Sequence, residues 1–129
     1  MSEKPMQSDL LALREVVRQF AEERDWDQFH TPKNLACALS VEVAELLEPF
    51  QWLEKGTAQE LDDTTRMQVR HEMADVLTYL IRLADKLDVD LYQAVLEKME
   101  LNRAKYPADR VRGDSRKYSA YRDAAERPE

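Results

Sequence analysis

Four acidic residues stand where hydrocarbon is expected. Leu35, Ala38, Leu39, Glu42, Glu45 and Leu46 follow one helical stripe, and Val69, Glu72, Asp75, Val76, Tyr79 and Leu83 follow a second. Residues three and four apart share a helix face, so each stripe carries two carboxylates inside an otherwise apolar series. If the two helices pack antiparallel, the four acids converge. Ionised, unpaired carboxylates shielded from water cost several kcal/mol each, so a positive charge belongs between them. The nearby candidates on the second stripe, Arg70 and Arg82, sit off the direction of Glu72 and Asp75.

A divalent cation meets the need better. An all-oxygen set suits hard Mg²⁺, or Mn²⁺, which binds through a few carboxylates and completes its shell with water and substrate phosphates. Such an ion neutralises a triphosphate, polarises the phosphorus under attack and acidifies a water that a spare carboxylate deprotonates. The competing reading leaves each acid pair solvated at the edge of an amphipathic stripe; a single pair favours it, whereas two pairs on separate helices bring the readings level. Glu48 extends the first series and is treated as peripheral. A carboxylate-bridged di-iron site needs Glu-x-x-His on two helices. It is absent, since His30 lies in a linker and His71 follows Gln68 by three.

The elements that must position these acids read as helices. Only two glycines and five prolines interrupt 129 residues, and the composition favours long helices over sheets. Ser8 caps a first helix whose Leu10, Leu13, Val17, Phe20 and Ala21 form an apolar stripe fading near Asp25 to His30. Thr31 and Pro32 start a second, which Pro49 perturbs after Glu48. Asp62, Asp63 or Thr64 caps a third running to about Lys86, with Met73, Val76, Leu77, Leu80, Ile81 and Ala84 facing the core. Asp88 or Asp90 caps a fourth through Leu91, Ala94, Val95 and Met99, ended by Pro107. The expected architecture is a four-helix, bundle-like domain over residues 1–107, with a polar tail over 108–129 that orders only against a ligand or another subunit.

Composition narrows the partners. A formal charge of -7 disfavours binding to duplex nucleic acid, which calls for a basic excess. Asn102 to Tyr118 nevertheless holds Arg103, Lys105, Arg110, Arg112, Arg116 and Lys117 against Asp109 and Asp114, enough to hold a small anion. Cys37 is the sole cysteine, read as a small core residue and in keeping with a reducing compartment. No apolar run is long enough to span a bilayer and no leader is evident, so a cytoplasmic protein without membrane contact is expected.

Glu42-Val-Ala-Glu45, 26 intervening residues and Glu72-Met-Ala-Asp75 resemble the metal-binding signature of the all-α nucleoside triphosphate pyrophosphatases, the family of MazG and the dimeric dUTPases. The likeness continues through Glu23-Arg-Asp-Trp-Asp-Gln-Phe-His30, Pro32, Asn34-Leu35, Pro49-Phe50-Gln51-Trp52, Lys98-Met99, Asn102, Tyr106-Pro107 and Ser115-Arg-Lys-Tyr118. It covers residues 9 to 118 and points to the dCTP pyrophosphatase subgroup. The resemblance implies a MazG-like bundle in a homodimer or homotetramer, with Glu42, Glu45, Glu72 and Asp75 holding Mg²⁺ and Glu42 the acid that activates water. It further implies that Trp26, His30 and Trp52 line the base pocket and that Tyr79 sits against the deoxyribose. Lys98, Asn102, Lys105 and Tyr106 then contact the phosphates, and Arg116 and Lys117 close over them.

Tryptophan faces suit base stacking, worth about 1–3 kcal/mol per base, and cationic side chains screen a departing pyrophosphate. Taken singly, Trp26 and Trp52 also fit as packing residues, Tyr79 as a core residue and His30 as a loop group. Val17 replaces a position that looks polar in the vertebrate enzymes, and the loop from Leu53 to Asp63 looks shorter than theirs. The implied reaction converts dCTP, or a modified dCTP, to the monophosphate and pyrophosphate. Its rivals are dUTP or a broader set of triphosphates as substrate, and a helical adaptor without catalysis.

Overall fold

The computed structural model describes residues 8–114. Helix α1 spans Asp9–Glu23, and the Ser8 hydroxyl accepts the Leu11 N–H at 3.2 Å, satisfying one amide that a helix start leaves open. Helix α2, Pro32–Leu47, opens the same way, with the Thr31 hydroxyl accepting from the Asn34 N–H at 3.2 Å and proline in the first turn. Pro49 does not stop the chain at once; it turns it through a 3₁₀ segment, Glu48–Phe50. Helix α3, Asp63–Lys86, is capped by the Asp62 carboxylate, which accepts the Thr65 N–H at 2.8 Å and lies below the usual carboxylate range because of that bond.

Of the two acids expected to begin the fourth helix, Asp88 instead closes α3. It takes a left-handed φ of 54°, while its own N–H and that of Val89 donate back to the carbonyls of Asp85 and Ala84 at 3.3 and 2.8 Å. The same closure ends α1, where Asp25 has φ 54° and the Trp26 N–H returns to the Ala21 carbonyl at 2.9 Å. Glycine usually fills this position; aspartate tolerates it because its short polar side chain bonds locally. Helix α4 then runs Leu91–Lys105. Beyond Pro107 the Arg110 and Val111 amides donate to the Pro107 carbonyl at 2.9 and 3.1 Å, forming a short α5, Ala108–Val111, at the head of the expected tail.

The chain divides into two compact units, the first ending at Leu91 and the second beginning at Tyr92. In the first unit α3 is the central element, packing on α2 and on α1. The buried hydrophobic residues are few: Ala21, Leu35, Ile81 and Ala84. Three expectations about the core change. Cys37 is exposed, because it lies two residues past buried Leu35 and therefore on the opposite side of α2. Met73, Leu77 and Leu80 are exposed too, forming an uncovered apolar row at i, i+4 and i+7 on α3, and Leu13 of the α1 stripe shares that exposure. The acid-bearing stripe is the better covered one, with Val69, Glu72, Val76, Tyr79 and Leu83 all half-buried. The second unit contains α4 and α5, whose Val95 and Met99 are exposed. The fold is all-α, as expected. Among the described residues no helix is long and apolar enough to cross a membrane.

Candidate functional site

Packing of α2 on α3 brings three of the four acids together, with Asp75 exposed beside them. Glu42, Glu45 and Glu72 each place one carboxylate oxygen within 4.8 Å of the other two. All three residues are half-buried, and the Oε2 atoms of Glu42 and Glu72 are shielded from solvent with no hydrogen-bond partner. Buried carboxylate oxygens are ordinarily satisfied, because leaving one unmade forfeits its hydration without return. Burial, followed by hydrogen bonding to and repulsion from Glu45, pushes the Glu42 carboxyl up to about 7. The Asp75 charge and a bond to Glu72 add to that shift, so Asp75, although exposed, acts on the same cluster. Among the described residues none of the four acids pairs with lysine or arginine. The donor set is all oxygen and short of positive charge, and these residues fit a hard divalent cation.

The aromatic candidates stand apart in character. Trp26 meets the edge of Phe20 at 5.7 Å between ring centroids, with Arg24 stacked on that phenyl ring at 3.8 Å. Trp52 is 88% exposed, more than a packing role would allow. Its loop is nonetheless held. The Glu60 carboxylate accepts backbone N–H groups from Glu54, Lys55 and Gly56 at 3.1, 3.1 and 3.3 Å, and the Arg66 guanidinium donates to the carbonyls of Ala58 and Leu61. Gly56 has φ 70° and lies over the Phe50 ring, where a Cβ would come within 2.8 Å. Tyr79 is half-buried, one turn beyond Asp75 on α3. Lys98 and Asn102 lie on α4, with Lys105 at its end and Tyr106 just after, where the Tyr106 N–H bonds the Asn102 carbonyl at 2.8 Å. Those four belong to the second unit. Arg116 and Lys117 lie outside the described residues.

His30 has a partner that the sequence did not announce. Arg82, only 3% exposed, donates from Nε to His30 Nδ1 at 3.3 Å, from Nη2 to Asp27 at 2.8 Å and from Nη1 to Asp85 at 3.3 Å. Arg18 grips Asp85 with two bonds of 3.0 and 2.5 Å, and Lys86 reaches Asp27 at 2.5 Å. These cations hold Asp85 and Asp27 below the usual carboxylate range, chiefly through the bonds from Arg18 and Lys86 respectively, while Asp85 raises Arg18. Burial, then the charges of Arg82 and Lys86, lower the His30 imidazole. The available signal was an arginine inside the apolar run Leu80-Ile81-Arg82-Leu83-Ala84. The cluster borders a cleft of about 340 Å³ lined by Arg18, Glu22, Asp27, Arg82, Asp85 and Lys86. Arg18, Asp27, Arg82, Asp85 and Lys86 are already paired among themselves, unlike the carboxylates on the α2–α3 face.

The chain is similar to known proteins over most of its length. Human (Homo sapiens) dCTP pyrophosphatase 1 is 48% identical over 109 residues, 83% of this chain and 64% of that protein, and the Bos taurus counterpart is 46% identical over the same shares. The chain thus spans less than two thirds of the length of these curated relatives. A solved structure of a pyrophosphatase from Archaeoglobus fulgidus superposes with a TM-score of 0.73 at 40% identity, covering 82% of this chain and 99% of that one. The MazG-like family model matches residues 37–120, a span that includes the three clustered acids and Asp75. With more than half its length inside that match and Glu42, Glu45 and Glu72 brought together by α2 and α3, the chain belongs to the MazG-like family.

Proposed function

We propose that this protein hydrolyses dCTP, or a modified dCTP, between the α and β phosphates, releasing the monophosphate and pyrophosphate. The observation that carries the reading is the group of uncompensated carboxylates, with two orphaned oxygens, in a chain 48% identical to a dCTP pyrophosphatase. Glu42, Glu45, Glu72 and Asp75 hold magnesium, with manganese as the alternative. When bound, the ion neutralises the triphosphate and makes the phosphorus more electrophilic.

Glu42 is the base that takes the proton of the attacking water. Its place beside Glu45 and Glu72, with one oxygen in reach of both, puts a carboxylate next to the water that the ion would acidify. Trp26 and Trp52 offer faces on which a base stacks, and the high exposure of Trp52 supports a role beyond packing. His30 faces the base, and Tyr79 packs against the sugar. Lys98, Asn102, Lys105 and Tyr106 bind the phosphates, assisted by Arg116 and Lys117. The small core and the exposed apolar row Met73, Leu77, Leu80 support a homodimer or homotetramer, since a second copy covers what one chain leaves open. We place the protein in the cytoplasm, where it keeps unwanted nucleotides from polymerases.

Val17, apolar where the vertebrate enzymes look polar, favours keeping dUTP as a second substrate reading. Purified protein incubated with Mg²⁺ and dCTP, dUTP, dTTP, CTP and ATP is expected to turn over dCTP fastest, with monophosphate and pyrophosphate in equal amounts. Preference for dUTP selects the second reading; no pyrophosphate from any nucleotide leaves a non-catalytic adaptor.

A further inference from the structure

We propose that Arg82 is a positioning residue that holds His30 as the Nε2–H tautomer, so that the imidazole meets a nucleotide with one hydrogen-bond donor and no acceptor. The inference rests on the reading above that His30 faces the base.

A guanidinium has five N–H donors, no acceptor, and stays protonated at any pH a protein tolerates. Where Arg82 Nε approaches His30 Nδ1 at 3.3 Å, Nδ1 must therefore present its lone pair. In a neutral imidazole the ring proton is then on Nε2. The opposite tautomer would set N–H against N–H.

Arg82 cannot turn away to relieve that arrangement. Its side chain is 4% exposed, and its remaining arms are engaged by Asp27 on one side and Asp85 on the other. Asp85 is fixed in turn by the paired bonds from Arg18. A continuous relay thus runs from α1 through α3 to the segment that joins α1 to α2 and carries both Trp26 and His30. Every charged group facing the imidazole in this relay disfavours a protonated ring except Asp27, whose carboxylate is already engaged by Arg82 and Lys86.

A donor-only imidazole pairs with a carbonyl oxygen or a ring-nitrogen lone pair and cannot accept from an exocyclic amine. Cytosine and uracil both carry the O2 carbonyl. If it meets that shared oxygen, His30 in this form does not tell the amino base from the keto base, and that choice falls to other residues.

Long-range ¹H–¹⁵N NMR of this 129-residue chain at pH 7, with His71→Gln to assign the two imidazoles, reads the tautomer directly. The expected spectrum shows His30 with an unprotonated, hydrogen-bonded Nδ1 and a protonated Nε2; a protonated Nδ1 in the neutral ring overturns the proposal. Arg82→Lys keeps a charge beside Asp27 but loses the Nε–H. It is expected to mix the tautomers and to raise KM for dCTP and dUTP alike by about 5- to 30-fold, the factor for one to two kcal/mol, with kcat within twofold. An unaltered tautomer, a fall in kcat at constant KM, or a change in the dCTP-to-dUTP ratio contradicts it. The spectrum is recorded without nucleotide, so failure of the hydrolysis reading leaves the tautomer assignment tested by itself.

Discussion

Helix α3 carries two acid clusters whose electrostatics run in opposite directions. Glu72, with Glu42 and Glu45 from α2, sits where carboxylates face one another, leaves two oxygens without partners and drives one acid up to about 7. Asp85, about 20 Å further along α3 at 1.5 Å per residue, and Asp27, from the segment between α1 and α2, are gripped by Arg18, Arg82 and Lys86 and are held below the ordinary range. The same helix solves the problem of partly buried acids at one end and leaves it open at the other. Since the chain can place cations beside acids, the lack of any beside Glu42, Glu45 and Glu72 among the described residues is what the proposed divalent ion answers.

The largest effect separating the clusters is catalytic. Glu42→Gln is expected to lower kcat by about 10²–10⁴-fold, the usual worth of a general base, while the metal-free protein melts no lower than wild type. Asp85→Asn should do the reverse. It uncouples Arg18 and Arg82 and is expected to destabilise the fold by about 1.5–3 kcal/mol, the worth of a hydrogen bond to a charged group, with Mg²⁺ dependence intact; a thermal melt and a Mg²⁺ titration of activity check both halves.

The clusters also respond oppositely to pH. Glu42 has a folded pKa above its unfolded value, so its contribution to stability is complete below about 4.5 and is lost as pH rises through about 7. Asp85 and Asp27 are depressed, so their contribution is present above the ordinary carboxylate range and lost as pH falls through their lowered values. Melting temperatures in chelator should therefore decline between pH 5 and pH 8 in wild type, and Glu42→Gln should flatten that slope; a slope retained in the variant assigns it to another group.

Glu60 supplies the smallest test, an acid satisfied by backbone amides alone. Glu60→Gln keeps one acceptor and is expected to cost about 1 kcal/mol, to loosen Trp52 as read by fluorescence anisotropy, and to leave Mg²⁺ binding unchanged.

Local chemistry made most of the fold readable. Ser8, Thr31 with Pro32, and Asp62 cap the helices they were expected to cap, because a capping bond spans three residues. That Glu42, Glu45 and Glu72 meet was readable for the same reason, since a three-residue spacing inside an apolar stripe fixes a face, whereas Asp75 at the edge of its stripe is exposed. Asp88 misled because an aspartate suits both a helix start and a left-handed closure, and Val89 returning to Ala84 decides between them. Met73, Leu77 and Leu80 read as core because periodicity reports an apolar face without saying whether this chain or another covers it. The Arg82 relay joins residues more than 50 positions apart, and the Glu60 loop depends on three amides turning toward one carboxylate, so neither leaves a periodic trace.

Calorimetric titration of the metal-free protein with Mg²⁺ most directly probes whether the α2–α3 acids wait for a cation. Saturable binding with a raised melting temperature is predicted for wild type and for Asp85→Asn, and its loss for Glu72→Gln. Equal binding by Glu72→Gln, or no binding by wild type, contradicts the account.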